Sequence, residues 1–306
     1  RGLGDVYKRQ GSEGLVAAGN IFMGMTESPV LIKNYLPTMN RSEIFLVMVS
    51  GMGTIAGSVM GTYIGMLGGT DPAAKVLFAT HLLSASVMAV PGSIVLAKML
   101  CPQTEEATDH VAISGKEKEN SNILDAISSG TVTGVKLMTN IAAMLLVFIS
   151  LVALANYITE GVIGRYTGLN DWIVKITDGK AQGLTFQFIL GVITSPFMWL
   201  IGVPSQDIML VGSLLGQKTI LNEFVAYFQL QQWKDAGLFM YEKSILMSTY
   251  ILCGFANISS IGILLGGLGV LAPEKRGLIS RIGVPAMIGG ALVSVLSATI
   301  IGMILG

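Results

Sequence analysis

Ser50–Ser58 reads SGMGTIAGS, and Cys253–Ser260 reads CGFANISS. Each lies at the middle of a long apolar stretch, near 42–66 and 244–271, and the two share a five-residue pattern: Gly51-Met52-Gly53-Thr54-Ile55 against Gly254-Phe255-Ala256-Asn257-Ile258. Working outward, each stretch is preceded by an apolar segment with a polar middle. The first, 13–36, has the tip Asn20–Glu27 (NIFMGMTE); the second, 207–232, has the tip Lys218–Glu223 (KTILNE). Each is followed by another apolar helix, 74–99 or 281–305. Lipid-exposed irregular backbone is not tolerated in a bilayer, so polar interruptions of this kind belong inside protein or beside a water-filled cavity, and re-entrant hairpins are the natural reading. One spanning helix, 135–158, separates the two copies, so the second copy is expected to be inverted in the membrane. Inverted repeats with discontinuous helices and a midplane site form a carrier architecture; the alternative is coincidence in a chain with 38 glycines.

Composition points the same way. Charged residues are 12% and hydrophobic residues 52% of 306 positions, against about 25% charged in soluble domains, and mean hydropathy is +0.67. A soluble protein this apolar would expose large sticky patches, whereas glycine-rich helices pack closely in membranes. The predicted fold is therefore an all-α polytopic membrane protein: inverted repeats of a re-entrant hairpin plus two transmembrane helices, with a scaffold helix between them. Nineteen basic residues balance nineteen acidic ones, so no basic field invites a nucleic-acid partner. Cys101 and Cys253 lack metal-ligand spacing and read as packing residues. No Asp-rich motif, His-Glu-X-X-His or Gly-X-Ser-X-Gly supports a membrane-embedded enzyme.

Four segments follow. Residues 1–10 (RGLGDVYKRQ) read like the in-frame translation of a transposase sequencing adapter, so native sequence is expected from Gly11 with further membrane helices upstream; the alternative is a natural charged N-terminus. Residues 11–104 form the first repeat. Residues 105–160 hold a polar loop, an interfacial helix near 123–134 and the scaffold helix. Residues 161–306 form the second repeat, including a wet segment at 160–183 and an apolar run near 184–203. Pro196 and Pro204 interrupt and close that run, which suits lying flat or buried better than spanning. Lys275, Arg276 and Arg281 are expected to face the cytoplasm by the positive-inside rule, together with Lys33 and Arg41.

Glu27 and Glu223 are ionisable groups inside apolar segments, which makes each a functional-site candidate. A carboxylate accepts paired hydrogen bonds, as adjacent sugar hydroxyls or the N–H edge of a base would offer; the alternative is a carboxylate that holds its hairpin closed against a helix N-terminus or Lys218. Asn257, Ser259 and Ser260 offer donors and acceptors on the facing helix, or else simple interhelical bonds. Asn20 and Thr54 place oxygens near carbonyls freed where helices break, at Met23 and Ile55, and hard cations prefer such oxygen sets. His81 is either a proton relay or a packed residue.

Gly216–Tyr227, GQKTILNEFVAY, resembles the Gly-X-Lys-X3-Asn-Glu-Phe-Val-Ala-aromatic signature of concentrative nucleoside transporters. NIFMGMTESP (20–29), SGMGTIAGSV (50–59) and CGFANISSIGILLGGLG (253–269) resemble further motifs of that family in the same order. The likeness runs from about 11 to 306. It implies a cation-coupled symporter, not an enzyme, multi-pass in a bacterial inner membrane, a homotrimer when full length, importing nucleosides by alternating access. It implies ribose contacts at Glu223, Asn257 and Ser260, with Phe255 beside the nucleoside, and base contacts at Thr26, Glu27 and Val59. Met25 stands where many members carry Gln, which leaves base preference open. Na⁺ would sit on the Asn20 and Thr54 side chains and the Met23 and Ile55 carbonyls. Thr54 replaces the Ser of some members and keeps its hydroxyl, and some bacterial relatives couple to H⁺. No other cofactor is implied.

Overall fold

The computed structural model describes residues 11–104, 153–177, 179 and 181–306, with isolated positions between 122 and 151. The segment expected to be adapter-derived, the polar loop over 105–121, part of the expected interfacial helix and most of the 135–158 helix lie outside the described residues. Chain contacts divide the protein into two compact units, 1–111 with 190–306, and 112–189.

In the first unit, α1 (Gly11–Gly19) leads into irregular turns and then a 3-10 turn, Ser28–Ile32. The expected hairpin is present, but its second arm is not an α-helix. Pro29 starts it at a position where its missing N–H costs nothing, and Pro37 then bars helical continuation. α2 (Arg41–Gly53) begins with a complete capping box, in which Asn40 Oδ1 accepts from Glu43 N and Glu43 Oε2 accepts from Asn40 N. α3 (Gly57–Gly68) and α4 (Pro72–Leu100) complete the first repeat, and Asp71 caps α4 through the amides of Ala73 and Ala74.

The second repeat has the same order. α6 (Phe186–Leu200) precedes it. α7 (Ile208–Ile220) and α8 (Glu223–Asp235) form the hairpin, followed by α9 (Glu242–Leu252), α10 (Ile258–Leu271) and α11 (Arg276–Ile304). Asp207, fully buried, closes the base of this hairpin by accepting from Met240 N at 3.0 Å and Tyr241 N at 3.1 Å. In the second unit, a π-helical segment, Tyr157–Gly164, runs through Thr167 and is followed by α5 (Leu169–Ile176). Most of the stretch expected to be wet is thus helical. Asn170 secures it, donating to Glu160 O and accepting from Leu184 N.

Among the described residues, 41–68, 72–100 and 273–304 are long and apolar enough to cross a membrane. The stretch 244–271, expected as one spanning helix, is instead broken at Cys253–Asn257. The two broken helices meet at their breaks. Phe255 N donates to Thr54 O at 3.2 Å, and a Cβ added to Gly254 would meet Met52 O at 2.9 Å and Ser294 Oγ at 2.8 Å. α11 packs over the crossing through Gly290, where a Cβ would lie 2.7 Å from Met52 Cβ and 3.0 Å from its carbonyl carbon. Two cores flank this point. One joins α1 and α2 to α10 and the first half of α11. The other joins α3 to α7, α8, α9 and the end of α11. Each core therefore mixes elements of both repeats, and Phe255 touches both.

Gly290→Ala in the full-length protein is expected to cost about 1–3 kcal/mol through overpacking against backbone. Lowered thermal stability in detergent would register it. Gly262→Ala, inside α10 where a Cβ meets nothing within 4 Å, is expected to cause no loss of stability.

Candidate functional site

Two polar clusters lie at the breaks. The first depends on how α8 starts. Asn222 is extended and its Oδ1 accepts from Val225 N at 2.9 Å, which makes Glu223 the first residue of the helix. A carboxylate is favoured there by the unsatisfied amides of the first turn. Glu223 is only 8% exposed. Its Oε2 accepts from Asn257 Nδ2 at 2.8 Å and its Oε1 from the Tyr63 hydroxyl at 3.4 Å.

Asn257 is in turn the N-cap of α10. Its Oδ1 accepts from Ser260 N at 2.9 Å, from Ser260 Oγ at 3.0 Å and from Ser259 Oγ at 2.6 Å. The cap requires the amide oxygen and the carboxylate requires the amide nitrogen, so both neighbours demand the same orientation of this side chain. Tyr63 is stacked on Tyr227 with ring centroids 4.1 Å apart and sits edge-on to Phe224. Tyr227 is fixed by donation to Thr249 O at 2.8 Å.

The second cluster is held by Ser50. Asn20 Nδ2 donates to Ser50 Oγ at 3.1 Å, and Thr54 Oγ1 donates to Ser50 O at 3.0 Å. Gly57 N donates to Phe22 O at 2.9 Å, tying the hairpin tip to the break between α2 and α3. Asn20 is fully buried, yet its Oδ1 has no hydrogen-bond partner among the described residues. No hydrogen bond among the described residues ends on Met23 O or Ile55 O. The cluster thus holds oxygen acceptors without donors, a donor set that fits a hard cation such as Na⁺. Among the described residues no group of three His, Cys, Asp or Glu side chains gathers elsewhere.

The remaining predicted residues are more scattered. Met25 is buried against Gly51, where an added Cβ would come 2.8 Å from its own. Thr26 is partly buried and lies against Gly267 of α10. Val59 and Phe255 are partly buried at the cores. Glu27 is exposed and folds back over Gly24, and no hydrogen bond among the described residues joins it to the Glu223 cluster. His81 pairs with the Tyr250 hydroxyl at 3.1 Å, and no hydrogen bond among the described residues joins it to either cluster. Sequence reasoning missed Tyr63, Ser50 and Ser294. Tyr63 alone carried a usable signal, since a buried phenol in an apolar helix needs a partner for its hydroxyl.

A family model described as Na⁺ dependent nucleoside transporter C-terminus matches residues 81–302, and a Gate model described as nucleoside recognition matches residues 2–70. An uncharacterized transporter of Haemophilus influenzae is 39% identical over 298 residues, covering 96% of this chain and 66% of that protein. Sodium/nucleoside cotransporter 1 of Rattus norvegicus is 39% identical over 307 residues, 96% of this chain and 44% of that protein. A solved structure of CNTnw in an inward-facing substrate-bound state shares 35% identity with a TM-score of 0.81, over 96% of this chain and 65% of that one. A CNTnw variant in an outward-facing state gives 36% and 0.82, over 95% and 65%. The chain thus spans about two thirds of the bacterial relative and less than half of the rat one.

Asn257→Ala removes a helix cap and a donor to a buried carboxylate together, an expected loss of about 2–4 kcal/mol. Asn257→Ser keeps a capping oxygen and is expected to recover only the cap's share. Unfolding of the full-length variants in detergent would separate the two contributions.

Proposed function

This multi-pass membrane protein belongs to the Na⁺-dependent nucleoside transporter family, and from that premise we propose that the full-length protein is a Na⁺-coupled nucleoside symporter of a bacterial inner membrane, working as a homotrimer. The observation that carries the reading is Glu223: a carboxylate taken into an apolar interior by a hairpin tip and met there by Asn257 and Tyr63. Among polar solutes, a vicinal diol suits it best, because two adjacent hydroxyls can donate to the two oxygens of one carboxylate.

Ribose hydroxyls would replace or join the Tyr63 donor on Glu223, with Asn257 and Ser260 completing the contacts and Phe255 against the sugar. Met25, Thr26, Glu27 and Val59 would face the base. Na⁺ would be taken by Asn20 Oδ1, Thr54 Oγ1 and the carbonyls of Met23 and Ile55. It would supply the positive charge these acceptors lack and order the first hairpin tip before nucleoside arrives. The two repeats would then move as one body to expose the site on the other side. Coupling requires only that the cation raise nucleoside affinity, and the effect is reciprocal.

In proteoliposomes, the full-length protein is expected to take up labelled uridine or adenosine saturably, with stimulation by an inward Na⁺ gradient. Uptake driven by protons alone would remove the cation assignment at Asn20 and Thr54 and leave the carrier. Glu223→Gln loses a charge-assisted acceptor, so KM for uridine is expected to rise at least about tenfold; unchanged affinity in that variant would sink the ribose assignment. Met25→Gln adds a donor and an acceptor beside the base and is expected to change the ratio of uridine to adenosine uptake, read by competition between the two.

A further inference from the structure

We propose that the ε-ammonium of Lys218 is a tethered cation of the second repeat, coordinated at the break between α9 and α10 and standing in for the mobile cation that the first repeat takes from solution; this rests on the reading of the chain as a cation-coupled carrier. Lys218 lies in the last turn of α7 and is fully buried. A buried ammonium is costly unless it is paired, and the usual partner is a carboxylate. Among the described residues no acidic oxygen lies within 4 Å of it. Its partners are neutral oxygens instead: Ile251 O at 2.8 Å and Ser294 Oγ at 3.0 Å, with Ser294 Oγ in turn donating to Cys253 O at 3.0 Å. Carbonyl and hydroxyl oxygens as the direct partners of a positive charge are the coordination chemistry of a hard cation, and the Glu223 carboxylate acts on it from beyond hydrogen-bond reach. The C-terminal end of α9 adds its partial negative charge.

The first repeat shows the complement. Its first hairpin helix and its broken helix carry no basic residue in their last turns. At the corresponding place stands Asn20, whose Oδ1 is buried without a hydrogen-bond partner among the described residues. One break is short of a positive donor, and the other carries its own. The fold thus builds two cation positions at two touching breaks, of which one needs filling from outside. The plain alternative is that Lys218 is a hydrogen-bonding strut holding the second hairpin to α9 and α11. A neutral donor of similar reach would serve a strut but not a tethered cation, and that difference is measurable.

Uridine uptake would be measured for full-length wild type, Lys218→Gln and Lys218→Ala in proteoliposomes under an inward Na⁺ gradient, the last with and without n-propylammonium, the fragment the substitution removes. The proposal expects Lys218→Gln to lose at least about tenfold in kcat/KM although it retains a donor. It expects Lys218→Ala to regain uptake with n-propylammonium and not with n-propanol. Lys218→Gln within about twofold of wild type, or a folded Lys218→Ala that n-propylammonium does not restore, overturns it in favour of the strut. Should Lys218→Ala fail to fold, Lys218→Gln decides alone. A wild type that shows no uptake would overturn the carrier reading itself, which separates that failure from this one.

Discussion

Everything in the first unit depends on two helices breaking at the same point. A helix interrupted in an apolar medium leaves N–H and C=O groups without water to satisfy them, at several kcal/mol each. The chain meets this cost by bringing the breaks together, so that each supplies partners or cover for the other. Phe255 N takes Thr54 O; Asn257 and Asn222 cap the helices that resume; Lys218 and Ser294 take the carbonyls left at the end of α9. Such proximity favours glycine at Gly254 and Gly290, where a Cβ would run into the backbone of Met52 and Gly53 and the side chain of Ser294 or Met52. The glycines read from sequence as signs of close packing are therefore also conditions for having a polar centre at all.

Satisfying that centre also determines how the repeats are built into one body. Because the breaks cross, the half-helices beyond them diverge into opposite cores: α3 joins the second hairpin, and α10 joins the first. Neither repeat could bury its apolar surface alone. Tyr63 of the first repeat reaches Glu223 of the second, and Lys234 at the end of α8 donates to Leu67 O at the end of α3. A motion that separated the repeats would strip partners from buried polar groups, which favours movement of both as one piece.

This explains what the sequence could and could not disclose. The paired patterns at Gly51–Ile55 and Gly254–Ile258 revealed the repeat, and the isolated carboxylate at Glu223 and the polar Asn257 revealed one cluster, because polar groups in apolar runs are local signals. The break at Cys253–Asn257 was harder to see. A glycine followed by Phe and Ala is compatible with a helix, and the chain is broken there by its neighbour across the crossing. The non-helical second arm of the first hairpin follows from Pro29 and Pro37, which lie in the chain as local signals. The partners of the Tyr63, Ser50 and Ser294 hydroxyls include residues distant in sequence, Glu223, Asn20 and Lys218, and no spacing rule reaches that far. Glu27, equal to Glu223 as a sequence signal, turns out exposed, so the same residue type in matching tips meets different surroundings.

The two clusters are also physically joined. Asn20 donates to Ser50 Oγ, Ser50 O accepts from Thr54, Thr54 O accepts from Phe255 N, Phe255 O accepts from Asn257 N, and Asn257 donates to Glu223. Contiguity alone does not make two sites energetically coupled. Here it carries more weight, because the middle bonds are backbone bonds at a break, where no helical ladder holds the chain in register. A positive charge placed on the acceptors at Asn20 and Ile55 would stabilise one arrangement of residues 54–57. Thr54 O then sets where Phe255 N lies, and two residues later the cap of α10 sets the face that Asn257 turns to Glu223. Each step is a short displacement of unladdered backbone, so a charge at the first break can bear on a carboxylate at the second without deforming either core.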